Sequence, residues 1–229
     1  MKKWIIAVFC AMSILLTACM GMEPIETITP TFQPTTELAK APWKENVLRS
    51  DTIEDTYSAP LEEYPVFGSE YRRGQIHTVT FLDSLEEAPE DAWDVSDAGD
   101  GKVLAWVIPY GGLGLYDLYI GAEGGISAGK ASNALFAGYS CMNQIHNLEF
   151  LHTENVQTMN DMFFECSSLT SLDLSSFDTS NVKGMSSMFA NCTSLTSLDL
   201  SSFDTSNVRD MIWMFSNCPA GADWQHLLK

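Results

Sequence analysis

A 26-residue period runs through the second half of this chain: Cys166, Cys192 and Cys218 recur at that spacing, as do Met162, Met188 and Met214, and Met159, Met185 and Met211. Residues 166–185 and 192–211 differ only at Ser167/Thr193, Lys183/Arg209 and Gly184/Asp210. A more divergent copy comes first, with Phe136, Met142 and Ile145 standing 27 residues before Phe163, Leu169 and Leu172, and Leu148, Leu151 and Val156 standing 26 before Leu174, Phe177 and Val182. One residue is therefore inserted near His146 and Asn147. No unit this short can bury its own apolar face, so neighbouring copies have to cover one another and the two ends have to be capped.

Within one unit, Leu169, Leu172 and Leu174 form a Leu-x-x-Leu-x-Leu pattern that predicts a short strand with Asp173 outward. Val182, Met185, Met188 and Phe189 follow at helical spacing and predict one or two helical turns, with Ser180 or Asn181 as the N-cap. The fold class expected is an α/β repeat solenoid, leucine-rich-repeat-like, with a short strand and a short helix per coil. Upstream, alternating apolar segments at 75–81, 102–108 and 115–120, separated by turn residues, predict a small β-rich N-terminal cap. In the last copy Ile212 and Trp213 stand where the earlier copies have Asn160 and Asp161, or Ser186 and Ser187. That departure predicts a lid in which Trp224, Leu227 and Leu228 fold back onto Ile212 or Trp213; the alternative is that Trp213 is an exposed anchor for a partner.

The run Met-Phe-x-x-Cys-x-Ser-Leu-Thr-Ser-Leu-Asp-Leu-Ser-Ser-Phe-Asp-Thr-Ser-Asn-Val, which begins at Met188 and ends at Val208, resembles the repeat of the BspA-like leucine-rich-repeat surface proteins. The segment 101–137, with Val103, Leu104, Ala105 and Trp106, then Leu118, Tyr119, Ile120 and Gly121, is similar to the region preceding those repeats. The resemblance covers about half the chain. It implies an extracellular repeat module associated with adhesion, and it names no ligand.

The N-terminus carries the other address. Lys2 and Lys3 precede an apolar run from Trp4 to Leu16, the make-up of a secretory signal and too short for a permanent membrane span. Leu16, Thr17, Ala18 and Cys19 resemble the lipobox of bacterial lipoproteins, which implies cleavage before Cys19 and a lipid on its sulfur. The expected organisation is a signal over 1–18, a disordered Thr/Pro/Glu-rich tether over 19–65, the β-rich cap over 66–134, and the solenoid with its C-terminal cap over 135–229. Such a protein sits at the extracellular face of the envelope, held to the membrane by the lipid on Cys19. The formal charge is −18, which excludes nucleic acid as a partner because phosphate binding needs a cationic surface.

Few residues point to chemistry. His77, His146, His152 and His226 are scattered without metal-ligand spacing, and no nucleophile or phosphate-loop motif is present. The chain is read as a non-enzyme with no metal and no cofactor. The carboxylates Asp173, Asp178, Asp199 and Asp204 recur one coil apart and are assigned to turns, with weak calcium binding as the alternative. Cys166, Cys192 and Cys218 form a column whose three equivalent positions cannot all pair, so a ladder of buried thiols is expected. Asn155, Asn181 and Asn207 form a second column that ties corners together. For binding, Trp213, Tyr110 and Tyr116 stand out, with Trp93 beside them, because the repeat face itself is small and polar. The partners expected are host or cell-surface proteins or glycans. A structural envelope lipoprotein without a ligand is the alternative, and an envelope hydrolase a distant third.

Overall fold

A computed structural model describes residues 42–50 and 59–227; the signal segment, Cys19, the tether up to residue 41 and Leu228 lie outside them. The chain divides into two units, Met1–Glu37 and Leu38–Lys229, and all described residues belong to the second. Part of the span read as tether belongs to this body. Val47–Leu48 forms a strand, and Leu48, Asn46 and Leu61 are buried, so apolar side chains inside the Thr/Pro/Glu-rich stretch anchor it.

Among the described residues eight strands make two sheets: β1 (Val47–Leu48), β2 (Ile76–Leu82), β3 (Trp93–Asp94), β4 (Leu104–Tyr110), β5 (Leu115–Gly121), β6 (Ile126–Ala128), β7 (Gln144–His146) and β8 (Leu151–His152). The first sheet, β1-β6-β8, is parallel, and the second, β3-β4-β5-β2-β7, is mixed. The three strands predicted upstream are present as β2, β4 and β5. They do not form a separate cap, because β7 comes from the divergent copy and pairs with β2. One core runs from Leu48 through Ile120, Phe136 and Phe189 to Ala220, so no boundary falls at residue 134.

The α/β repeat solenoid is not what the chain forms. Among the described residues there is no α-helix, and both sheets lie outside the two near-identical copies. The Leu169–Leu174 segment joins no strand ladder, and the segment expected to be helical is a run of turns. The backbone shows why. Asp161 and Glu165, Ser187 and Asn191, and Trp213 and Asn217 all have positive φ, near 53° to 62°, which no helix accommodates. Alternate peptide groups bond to the adjacent copy instead of to the residue four earlier. Met185, Ser187, Phe189 and Asn191 N–H donate to Asp210, Ile212, Met214 and Ser216 carbonyls at 2.8–2.9 Å. Single parallel bridges Ala131–Thr158–Gly184–Asp210 mark the same contact.

The inward residues are those the period predicts. Met159, Met162, Met185, Met188, Phe163 and Phe189 are all fully buried. Phe136, Phe163, Phe189 and Phe215 stack in one column, with ring centroids 5.4, 5.6 and 5.6 Å apart and planes within 14° of parallel. Offset ring stacking of this kind adds to the burial of each ring.

The β4–β5 hairpin projects past this core. Trp93 pairs with Ala105 and Val95 N–H donates to Val103 O at 2.9 Å, so the amides of Ala105, Val107 and position 109 face the outer edge of β4. Beyond Ala105 that edge has no neighbour among the described residues, and proline at 109 removes its donor there. This is how an edge strand is kept from recruiting another chain.

Candidate functional site

Among the described residues the hairpin carries the largest group of exposed apolar side chains. Ile108 and Tyr110 are 49% and 44% exposed, and Leu113 at the tip is 83% exposed. The tip is built to be tight: Gly111, Gly112 and Gly114 take positive φ, with no other atom within 4 Å of where a Cβ would stand, so glycine serves the turn alone. Tyr110 is held in place. Its ring lies flat on the His77 ring, 3.7 Å between centroids and 13° between planes.

His77 is fixed in turn from both sides. The register of β2 against β5 shifts between Ile76 and Thr78, and this irregularity brings His77 and Thr78 to the same carboxylate. His77 Nδ1 lies 3.0 Å from Asp117 Oδ1, and Thr78 Oγ1 donates to that oxygen at 2.7 Å. Asn143 Nδ2 lies 3.0 Å from His77 Nε2. With the amide donating to Nε2, the ring proton sits on Nδ1 and is donated to Asp117. Both ring nitrogens are thus occupied and one ring face is covered. The histidine orients Tyr110; it has no free nitrogen with which to take a substrate proton.

Tyr116 and Trp93, which the sequence groups with Tyr110, lie on the opposite side of the sheet. They are half-buried and packed against the core, with Tyr71 between them at 4.8 Å from Tyr116 and 5.8 Å from Trp93. Their role is to extend the core under the hairpin. Of the two predicted tyrosines only Tyr110 is exposed.

At the other end, Trp213 is 74% and Ile212 61% exposed. Of the lid predicted over them, Trp224 packs elsewhere, and the side chain of Leu227 and all of Leu228 lie outside the described residues. Residues Pro219–Leu227 make a 3-10 segment in which Gly221 packs on the Phe215 ring, leaving no room for a Cβ, and Trp224 Nε1 donates to Leu198 O at 2.8 Å. The cover is drawn to the open face of Phe215 and Leu198, because those side chains belong to the apolar column. Trp224, Leu172, Leu198, Asp173 and Asp199 border an open groove of about 480 Å³.

The predicted columns each have a defined use. Asn181 Nδ2 donates to Glu154 O at 2.9 Å and Asn207 Nδ2 to Ser180 O at 2.7 Å, so each amide reaches back one copy; with turns and no helix over 182–190, neither Ser180 nor Asn181 is a helix cap. Asp173, Asp178, Asp199 and Asp204 accept the N–H of Ser175, Ser180, Ser201 and Ser206 at 2.9–3.0 Å. The hydroxyls of Ser180 and Ser206, followed by their N–H groups, lower the Asp178 and Asp204 carboxyls, and the N–H groups of Ser175 and Ser201, followed by their hydroxyls, lower Asp173 and Asp199. Among the described residues no three His, Cys, Asp or Glu side chains cluster closely enough to hold a metal ion. The structure adds a further column: Thr153 and Thr179 hydroxyls donate to Asp178 and Asp204 carbonyls at 3.1 Å and accept from the same residues' N–H groups. Their 26-residue spacing is the signal in the sequence that could have found it.

Cys166, Cys192 and Cys218 are free and buried, whereas Cys141 is half-buried. The Cys166 and Cys192 thiols donate to Phe136 O and Phe163 O at 3.1 Å. Burial pushes the Cys192 thiol up to about 12 and also raises Cys166 and Cys218. Alkylation of the native protein at pH 8 is expected to label Cys141 at least about tenfold faster than these three, because the thiolate is the nucleophile. Unfolding should abolish the difference, and a mapped disulfide between any two of the three would overturn it. Because the folded protein favours the protonated Cys192 thiol, this contribution to stability is present below the ordinary thiol range. It is lost as pH rises towards 12.

A family model described as "Mycoplasma protein of unknown function, DUF285" matches residues 130–223, less than half of the chain, and the matched stretch is the repeat region. No curated protein and no solved structure matches the chain.

Proposed function

We propose that this chain is a cell-surface lipoprotein, anchored by a lipid on Cys19, that displays its repeat body to bind proteins or glycans. The lipobox-like Leu16-Thr17-Ala18-Cys19, the Thr/Pro/Glu-rich stretch behind it and the likeness of the repeats to BspA-like surface proteins support this reading. The observation that carries the binding role is the hairpin: Ile108, Tyr110 and Leu113 are exposed together on a projecting β-turn, with Tyr110 immobilised on His77. Exposed aromatic and aliphatic side chains that are already ordered lose little entropy on binding and make effective anchors.

The experiment has two arms on the full chain. Membrane fractionation with mass spectrometry of the N-terminus should show a lipid on Cys19, and Cys19→Ala should release the protein from the membrane, since the lipid is its strong attachment. Cells displaying the protein should bind to immobilised host matrix proteins or glycans, and Leu113→Asp with Tyr110→Ser should weaken that binding by about tenfold or more. An unmodified Cys19 refutes the anchoring. Binding indifferent to the hairpin variant refutes the assigned surface.

A further inference from the structure

Three side chains from outside β2 enclose the His77 ring, and each can serve it with one proton or with two. Asp117 of β5 accepts from Nδ1, which carries a proton in the neutral tautomer and in the cation alike. Tyr110 of β4 lies flat on one ring face, 3.7 Å between centroids. The face of an aromatic ring carries negative charge density and attracts a cation laid against it. Asn143, which precedes β7, is the neighbour that has to move. Its Nδ2 donates to Nε2 of the neutral ring at 3.0 Å, while its Oδ1 is buried with no hydrogen-bond partner among the described residues.

When the ring takes up a second proton, Nε2 changes from acceptor to donor. Two donors then face each other, and a half-turn of the Asn143 amide about Cβ–Cγ brings Oδ1 to Nε2. The oxygen and nitrogen of an amide are close in size, so the exchange asks no other side chain to shift. Nδ2 takes the place that Oδ1 held, and the amide keeps one paired group in either orientation. The His77 side chain is 18% and that of Asp117 24% exposed, so protons reach the pair without opening the sheet. Among the described residues the charged or titratable side chains bonded to the ring or stacked on it are Asp117 and Tyr110. Thr78, on the same strand as His77, donates to the same Asp117 oxygen.

We infer that His77 is an acid-sensitive clamp on the β4–β5 hairpin: proton uptake turns the Asn143 amide, completes an ion pair with Asp117 and seats Tyr110 more firmly on the ring. The sign follows from linkage. Whatever Tyr110 adds to the ring's hold on the second proton, that proton adds to the seating of Tyr110. The tip is therefore fixed more firmly as pH falls through the range in which histidines charge, and it loosens as pH rises. The use of the clamp, an anchor that holds its partner better in acid, rests on the reading of the hairpin as the binding surface. The clamp itself needs no ligand.

The test follows the full chain, labelled with 13C and 15N and without any ligand, by NMR between pH 8 and pH 5. The carbon shifts of the His77 ring report its charge, the Asn143 side-chain amide reports the half-turn and the Tyr110 ring protons report the stack. All three should change along one curve. Asn143→Asp, which offers Nε2 a carboxylate, should raise the affinity of the ring for the proton about tenfold or more, and Asp117→Asn should lower it about tenfold or more. Tyr110→Leu should lower it about three- to fivefold, the size of a cation–π contact. A Tyr110 ring that does not follow the His77 curve, an Asn143 amide indifferent to it, or a proton affinity that all three substitutions leave unchanged overturns the clamp. Failure of the hairpin as a binding surface would leave these curves as they are, and failure of the clamp would leave the effect of Leu113→Asp with Tyr110→Ser on binding as it is.

Discussion

Phe189→Ala is expected to destabilise the protein by about 4 kcal/mol, within the range for truncating a buried phenylalanine. The ring is fully buried and stacks on Phe163 and Phe215 at 5.6 Å on either side, so its removal deletes two ring contacts and opens a cavity. The cavity cannot close by collapse. The backbones above and below are held apart by Phe163 N–H donating to Met188 O and Phe189 N–H donating to Met214 O, both at 2.9 Å. In a body of this size the melting temperature should fall by roughly 10 °C. Phe189→Leu, which keeps most of the volume, should cost less than about 2 kcal/mol. Chemical denaturation of the three proteins decides it, and a loss below about 1 kcal/mol for the alanine variant would mean that the column is not a cooperative core.

Arg73→Met is expected to cost about 3 kcal/mol, although the substitution replaces a buried charge by a well-sized apolar side chain. The loss comes mainly from the carbonyl of Ala137, which the guanidinium bonds at 2.7 Å; Ala134 O, bonded at 3.0 Å, keeps the Ala137 N–H. Stranding a buried acceptor costs about 1–3 kcal/mol. Methionine would also give up the approach of the guanidinium to the Tyr139 ring, 5.6 Å from its centroid. Arg73→Lys should recover only part of the loss, because an ammonium cannot reproduce the planar fork. Equal stability of the methionine variant and the wild type would show that the first copy needs no closure at its carbonyl end.

The apolar positions of the repeats are legible in the sequence and their backbone is not, for one reason. Val182, Met185, Met188 and Phe189 are spaced as one face of a helix would space them. The same spacing is met by a chain that turns every few residues and buries those side chains against the copy on either side. What separates the two is where the amides go, and that depends on a neighbour 26 residues away rather than on the local pattern. The non-glycine residues at positive φ, Ser187 and Asn191 among them, are the mark of this choice. Asparagine at such a site is a mild signal; serine and tryptophan are none.

The hairpin site is half legible. Tyr110 stands out as an aromatic beside a turn, and its exposure agrees with that. His77 offers no such signal, because it lacks partners nearby in sequence. Asp117 lies 40 residues on, and the two meet because β2 pairs in parallel with β5, skipping the β3–β4 excursion. Tyr116 and Tyr110 read alike in sequence, and the pleat puts them on opposite faces.

The period, the residues that face inward, the polar corners and the lipobox-like N-terminus follow from the order of amino acids alone, because burial and turn chemistry repeat whenever the residues do. The direction of the bonds between copies, the fusion of the first copy with the mixed sheet and the exposure of Trp213 do not. Each is settled by which peptide groups and side chains remain to be satisfied once the copies have stacked. Arg73, 64 residues before Ala137, meets that demand for the Ala137 carbonyl at one end of the repeats. At the other end the N–H groups of Met211, Trp213, Phe215 and Asn217 find no acceptor among the described residues, and only the folded arrangement reveals that they point the same way.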